Sequence, residues 1–164
     1  MPKAIWVVNG PNLNLLGSRE PALYGTETLA EIEAALIEHG LRQGAKVECF
    51  HANCEGELID RIQAARGLAD ALILNLGAYT HTSIALRDAV AAVALPAIEV
   101  HMTNIQNREG FRRRSYVGAV CVGSISGLGS LGYRLAIDAL LSYNIASHGQ
   151  DHNAMSQDES HKQK

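Results

Sequence analysis

Glu99 and His101 stand two residues apart at the end of an apolar stretch, Ala97-Ile98-Glu99-Val100, that reads as a β-strand. Residues i and i+2 of a strand share a face, so the carboxylate and the imidazole are neighbours. A carboxylate beside an imidazole favours the protonated ring and holds one tautomer, which suits a general acid. The complementary group is Tyr24, five residues beyond Arg19. A phenol of pKa ~10 costs roughly 4 kcal/mol to ionise at neutral pH. A nearby guanidinium offsets much of that cost. Tyr24 as base and His101 as acid would take one proton and deliver another without a metal or a cofactor. The plainer readings are a satisfied polar pair at a strand end and a surface loop with an ordinary arginine and tyrosine.

Those residues must be brought together by the fold. Ala4 to Val8, Ala71 to Leu74 and Ala97 to Val100 are continuous apolar runs, as in strands of a parallel sheet buried on both faces. Ala45 to Phe50 alternates Lys46 and Glu48 with Val47 and Cys49, the pattern of a half-exposed edge strand. Ala119 to Val122 is read as a fifth short strand. Helices fall between the strands. One opens with the Thr28–Glu31 spacing of a capping box and closes at Gly40 and Gly44. A second carries Leu58, Ile62 and Ala65 on one face, a third runs through Ala94, and the last spans Leu131 to Leu140. Alternating strands and helices imply a parallel sheet covered on both faces. Five strands give the flavodoxin-like, doubly wound α/β class, ordered 2-1-3-4-5, in a single catalytic domain over residues 1–143. The polar tail, 144–164, has no apolar period and is expected to be disordered.

In that fold ligands sit at the carboxyl ends of the strands. Strand 1 leads into Asn9–Gly25, a seventeen-residue loop bearing Asn12, Arg19 and Tyr24. That is long for a strand-to-helix turn, where 2–6 residues is usual. Strand 3 ends in Asn75, Tyr79, Thr80 and His81; strand 4 ends in Glu99, His101, Thr103 and Asn104. His81 and Asp88 share a helix face but are separated by about 10 Å of rise. They can hardly grip one small molecule from one chain. Asp88 either serves a neighbouring subunit or faces solvent, and spacing leaves both open. Cys49, His51 and Cys54 mimic a metal cluster but have no fourth ligand nearby. Gly123 through Gly132 matches neither a P-loop nor a dinucleotide fingerprint and is expected to pack backbone against the sheet. Arg112 to Arg114 reads as a solvated charge run from which one arginine could reach a polar substrate.

Composition sets the bounds. The chain has 164 residues, 47% apolar and 19% charged, with net charge −3, which points away from nucleic-acid and membrane surfaces. No basic-then-apolar leader opens it, and three cysteines at unrelated spacings suggest a reducing compartment. A cytoplasmic protein is expected.

Five ordered motifs carry a resemblance: NGPNLNLLGSREPALYG, NCEGELID, NLGAYTHTSIALRDA, EVHMTN, and the FRRRSY…GLGSLGYRLAIDAL block. From about Ala4 to Leu141 the chain resembles the type II 3-dehydroquinate dehydratases (type II dehydroquinases). The resemblance implies a flavodoxin-like fold assembled as a dodecamer of trimers. It implies reversible dehydration of 3-dehydroquinate to 3-dehydroshikimate through an enolate, without metal, cofactor or Schiff base. Tyr24 would be the base and Arg19, on the same mobile lid, would favour its tyrosinate. Asn12 would hold the water that stabilises the enolate, and His101, oriented and charged by Glu99, would protonate the departing hydroxyl. Asn75, His81, Met102, Thr103 and Arg112 would bind substrate, with Asp88 reaching the site of an adjacent subunit. The chain departs from the pattern at Leu76, usually proline, at His51 and Cys54, and at Gly110. A phosphoacceptor receiver of the same fold would need acidic residues where Asn9 and Asn75 stand. A flavodoxin-like binding module without catalysis would want a Ser/Thr/Gly-rich phosphate loop in place of the one bearing Arg19 and Tyr24.

Overall fold

Apolar runs become the buried strands β1 (Lys3–Asn9), β3 (Ala71–Asn75) and β4 (Ala97–His101), while β2 (Ala45–His51) and β5 (Gly123–Ser126) form the edges. The computed structural model describes residues 3–18, 22 and 25–143. All five strands pair in parallel in the order β2-β1-β3-β4-β5. This is the doubly wound, flavodoxin-like sheet expected from the alternation of elements. Arg19, Tyr24 and the tail 144–164 lie outside the described residues. No helix among the described residues is long and apolar enough to cross a membrane.

Side-chain alternation divides the interior into two layers. Ile5 and Val7 of β1, with Ile73, Ile98 and Val100, pack under α1 (Leu29–Arg42) and α4 (Leu131–Ser142). Trp6 and Val8, with Leu72, Leu74 and Ala97, pack under α2 (Glu55–Ala64) and α3 (Ile84–Val93). Each fully buried Leu, Ile or Val contributes roughly 1.5–3 kcal/mol, so two such layers hold the sheet rigid.

Local signals set the helix ends. The Thr28 hydroxyl accepts from the Glu31 N–H and the Glu31 carboxylate accepts from the Thr28 N–H, which closes the capping box. Gly40 does not end α1 as expected; the helix continues to Arg42. A Cβ at Gly40 would stand 2.3 Å from Val47 Cγ2, so this glycine lets the helix lie close on β2. Gly44, at φ +75°, makes the turn.

The fifth strand is displaced from its expected place. Residues 118–120 form a short 3-10 turn, and Val117, Val120 and Cys121 pack into the layer of α2 and α3. The segment that pairs with β4 is the more polar Gly123-Ser124-Ile125-Ser126. Hydrophobicity marked the packing segment; the pairing segment carries Ser124 and Ser126, whose hydroxyls donate to Glu99 Oε2 and the Thr103 carbonyl, contacts that periodicity does not register. The glycine-rich stretch behind it does pack closely: a Cβ at Gly132 would meet Ile125 and Val100 at 3.3 Å.

Gly10 sits where β1 and β3 end side by side, its N–H donating to the Asn75 carbonyl at 2.8 Å. An added Cβ would lie 2.5 Å from the Leu76 carbonyl carbon and oxygen, which are backbone and cannot swing away. Gly10→Ala is expected to cost about 1–3 kcal/mol, the range for overpacking. Urea unfolding checks it, and an unchanged midpoint would contradict the close approach.

Candidate active site

Strand parity sorts the polar groups at the carboxyl edge. Asn9 and Asn75 are paired in register at the ends of β1 and β3, and both turn toward the layer of α1 and α4. Glu99 and His101 turn to the opposite layer. A pocket of about 170 Å³ spans the edge, with Asn75 and His101 both in its wall. That is room for a small polar molecule.

Glu99 is 1% exposed. Its Oε1 accepts from the Thr80 hydroxyl and, at 2.7 Å, from the Ser115 hydroxyl; its Oε2 accepts from Ser124 at 3.2 Å. Ser115 is held in turn by the Gly118 N–H, 2.8 Å away. A Cβ at Gly118 would lie 2.6 Å from Glu99 Oε2, so glycine is what lets this loop close over the carboxylate. Burial by itself would raise the Glu99 carboxyl. The His101 ring first, then Thr80 and Ser115, overcome burial and hold it below the usual carboxylate range. Glu99 is therefore a buried anion at neutral pH.

His101 Nε2 lies 3.2 Å from Glu99 Oε1, but at an angle too oblique for a hydrogen bond. The His81 ring stacks alongside, centroids 6.1 Å apart and planes inclined by 17°. His81 Nδ1 donates to the Arg114 carbonyl at 2.7 Å, which leaves Nε2 as an acceptor. Burial, aided by His101 and Arg112, pushes His81 below its ordinary range. Two adjacent imidazoles thus have different surroundings: one faces a buried anion, the other a carbonyl and cations.

The remaining expected residues divide into three groups. Asn12, Met102, Thr103 and Arg112 line the pocket with Asn75, His81 and His101. Asn12 is in the left-handed region at φ 68°, and its N–H donates to Asn53 Oδ1 at 2.9 Å. Asp88 is exposed on α3 beside Arg87 and takes no part in the pocket of its own chain. Arg19 and Tyr24 are among the undescribed residues. The departures are mild. Leu76 is buried at φ −82°, close to the angle proline fixes, so Asn75 is still presented. A Cβ at Gly110 would meet nothing within 4 Å. Cys49 is half-buried, and burial, aided by Glu33, pushes its thiol up to about 12.

Sequence reasoning missed Ser115, Ser124, Arg108 and Tyr133. Arg108 lines the pocket and donates to the Thr103 hydroxyl at 3.1 Å. Ser124 was hidden by the misplaced fifth strand; once β5 is in register with β4 it stands directly opposite Glu99. Ser115 directly follows the Arg112–Arg114 run, and nothing in its local sequence marks it as a partner of Glu99.

A parallel α/β sheet with a carboxylate–imidazole pair in a small polar pocket at its carboxyl edge defines a flavodoxin-like protein equipped for acid–base chemistry. Comparison with known proteins gives the family. The family model described as Dehydroquinase class II matches residues 3–141. The chain is 53% identical over 139 residues to a 3-dehydroquinate dehydratase of Geotalea daltonii, covering 85% of this chain and 96% of that protein. It is 53% identical over 138 residues to Catabolic 3-dehydroquinase 1 of Aspergillus terreus, covering 84% and 91%. The crystal structure of a type II dehydroquinase from Propionibacterium acnes superposes with a TM-score of 0.84 at 42% identity, covering 87% of this chain and 99% of that one. The chain belongs to the class II dehydroquinase family.

The shifts of Glu99 and His81 give stability a common pH dependence. The unfolded chain binds a proton at His81 below its ordinary 6.5, where the folded chain resists it. It binds one at Glu99 below 4.5, where the folded chain again resists. In both windows the unfolded state holds more protons, so stability falls as pH falls. Urea unfolding from pH 8 to pH 4 is expected to show a first decline below about 6.5 and a steeper one below about 4.5. His81→Asn should remove its part of the first decline; a profile indifferent to this change would contradict the assignment.

Proposed function

We propose that the pocket carries out the reversible dehydration of 3-dehydroquinate to 3-dehydroshikimate with Tyr24 as base and His101 as acid. The observation that carries this reading is the buried Glu99 anion held against His101 at the pocket wall. The tyrosinate of Tyr24, favoured by Arg19, takes the proton from the carbon next to the ketone. The C–H electron pair moves into an enolate, stabilised through a water held by Asn12. The enolate then collapses, the C–O bond to the leaving hydroxyl breaks, and His101 supplies the proton that lets it depart as water. Tyr24 returns its proton and His101 regains one, so the step is balanced. Asn75, His81 and Arg112 bind the ring substituents, with Met102 and Thr103 receiving the carboxylate through backbone N–H groups. Nothing in this scheme calls on a metal, a cofactor or an imine.

The same reading includes a cytoplasmic homo-oligomer, a dodecamer of trimers, in which Asp88 reaches a neighbouring site. The exposure of Asp88 outside its own pocket supports that role. The step serves shikimate biosynthesis or quinate breakdown equally, because both run the same chemistry.

Purified protein is expected to convert 3-dehydroquinate to an ultraviolet-absorbing enone in the presence of chelator and of borohydride. Tyr24→Phe and His101→Ala should each lower kcat by about 10²–10⁴-fold, the usual worth of a general base or acid, with the circular dichroism spectrum unchanged. Turnover abolished by chelator, or unaffected by both substitutions, would overturn the mechanism.

A further inference from the structure

Under the pocket floor, a hydrogen-bonded chain runs from the side of α1 to the substrate wall. Asn9 Nδ2 donates to Glu33 Oε1 at 3.1 Å, the Tyr133 hydroxyl donates to Asn9 Oδ1 at 2.8 Å, and Asn75 Nδ2 donates to the Tyr133 oxygen at 2.7 Å. Asn9 and Tyr133 are fully buried and Asn75 is nearly so. Four segments of sequence contribute, with Tyr133 of α4 standing 124 residues from Asn9.

The direction of this chain is determined by its far end. A carboxylate only accepts hydrogen bonds. Glu33 therefore takes the amide end of Asn9 and leaves Asn9 Oδ1 facing Tyr133. A phenol has one proton, and it is spent on that oxygen. The phenol oxygen can then only accept from Asn75, so Asn75 turns its Nδ2 downward. Its Oδ1 is left toward the Gly77 N–H, 3.4 Å away, and the pocket. Reversing the Asn75 amide would set two acceptors against each other in a buried site, where an unpaired polar atom is costly. Burial also pushes the Tyr133 hydroxyl well above its ordinary range, so it remains a donor at any physiological pH.

We infer that Tyr133 is a positioning residue for this reaction: through the Glu33–Asn9–Tyr133–Asn75 chain it fixes the Asn75 amide with its carbonyl oxygen toward the ligand. The pocket then demands a hydrogen-bond donor, a ring hydroxyl of the substrate, at that point. The inference rests on the dehydration proposed above, and it concerns substrate recognition rather than proton transfer.

The test is a double-mutant cycle on the full-length protein with 3-dehydroquinate. Tyr133→Phe is expected to raise KM about tenfold, as for loss of one oriented hydrogen bond. It should leave kcat within about threefold and the pH profile of kcat unmoved, because the acid and base are untouched. Asn75→Ala should raise KM as well, and Tyr133→Phe should add nothing in that background. An equal effect of Tyr133→Phe with and without Asn75, or no effect on KM in folded protein, would overturn the inference. Glu33→Gln is the second variant if Tyr133→Phe fails to fold. A glutamine at 33 can donate or accept, so the chain loses its polarity; KM should rise with the fold kept, and an unchanged KM would count against the relay. Asparagine-selective ¹⁵N spectra give a readout independent of turnover. The side-chain amide protons of Asn75, assigned by their loss in Asn75→Ala, should shift in Tyr133→Phe or Glu33→Gln. A wild-type protein without turnover but with this shift would reject the dehydration and keep the relay; an unmoved signal would reject the relay alone.

Discussion

Glu99 is a carboxylate held almost wholly out of water yet below the usual carboxylate range, and much of the architecture at this end of the sheet follows from that charge. Removing an ion from water costs several kcal/mol even after relaxation. Here the cost is offset by hydroxyl donors from three separate parts of the chain: Thr80 after β3, Ser115 in the long connection, and Ser124 on β5. The edge strand is polar because it must supply one of them. Residues 110–120 are short turns because a loop, not a strand or helix, has to bring Ser115 over the carboxylate and keep Gly118 against it. Sheet edge, connecting loop and acid pair are therefore joined at one carboxylate.

Two polar systems meet at the carboxyl edge from opposite faces of the sheet. The Glu99 carboxylate, with His101 against it, forms the charged one, on the side of α2 and α3. Asn9, Asn75 and Tyr133 form the neutral one, on the side of α1 and α4. The period-two alternation of a strand keeps them apart inside the protein and lets them join only above its end. This separation matches two demands of the proposed chemistry: a charge that moves a proton and a fixed dipole that recognises a hydroxyl. His81 lies at the junction. Its Nδ1–H is spent on the Arg114 carbonyl, so it offers an acceptor while its neighbour His101 faces an anion. Two identical side chains take different parts because their partners differ.

Much of this was legible in the sequence. Unbroken apolar runs with helical periods between them point to a parallel sheet covered on both faces, and the order β2-β1-β3-β4-β5 is the usual one of that class rather than something the runs themselves encode. The spacing of Glu99 and His101 determined that they meet, since neighbours two apart on a strand have no alternative. Helical spacing did not relate His81 to Asp88: His81 ends a 3-10 turn, Asp88 stands exposed on the helix that begins at Ile84, and the chain's own pocket does not include it. Other features were decided only by the tertiary structure. The fifth strand is the polar segment Gly123–Ser126, whose hydroxyls reach Glu99 and Thr103 and which local hydrophobicity does not mark. Gly40 looks like a helix stop until β2 is laid against it. Tyr133 reads as an ordinary core aromatic on its helix. Only when α4 crosses the ends of β1 and β3 does its hydroxyl come between two asparagines 66 positions apart in the chain. Contacts within a strand or helix turn follow from period alone, whereas contacts between distant segments follow from how the layers pack, and that is where the polarity of Asn75 is set.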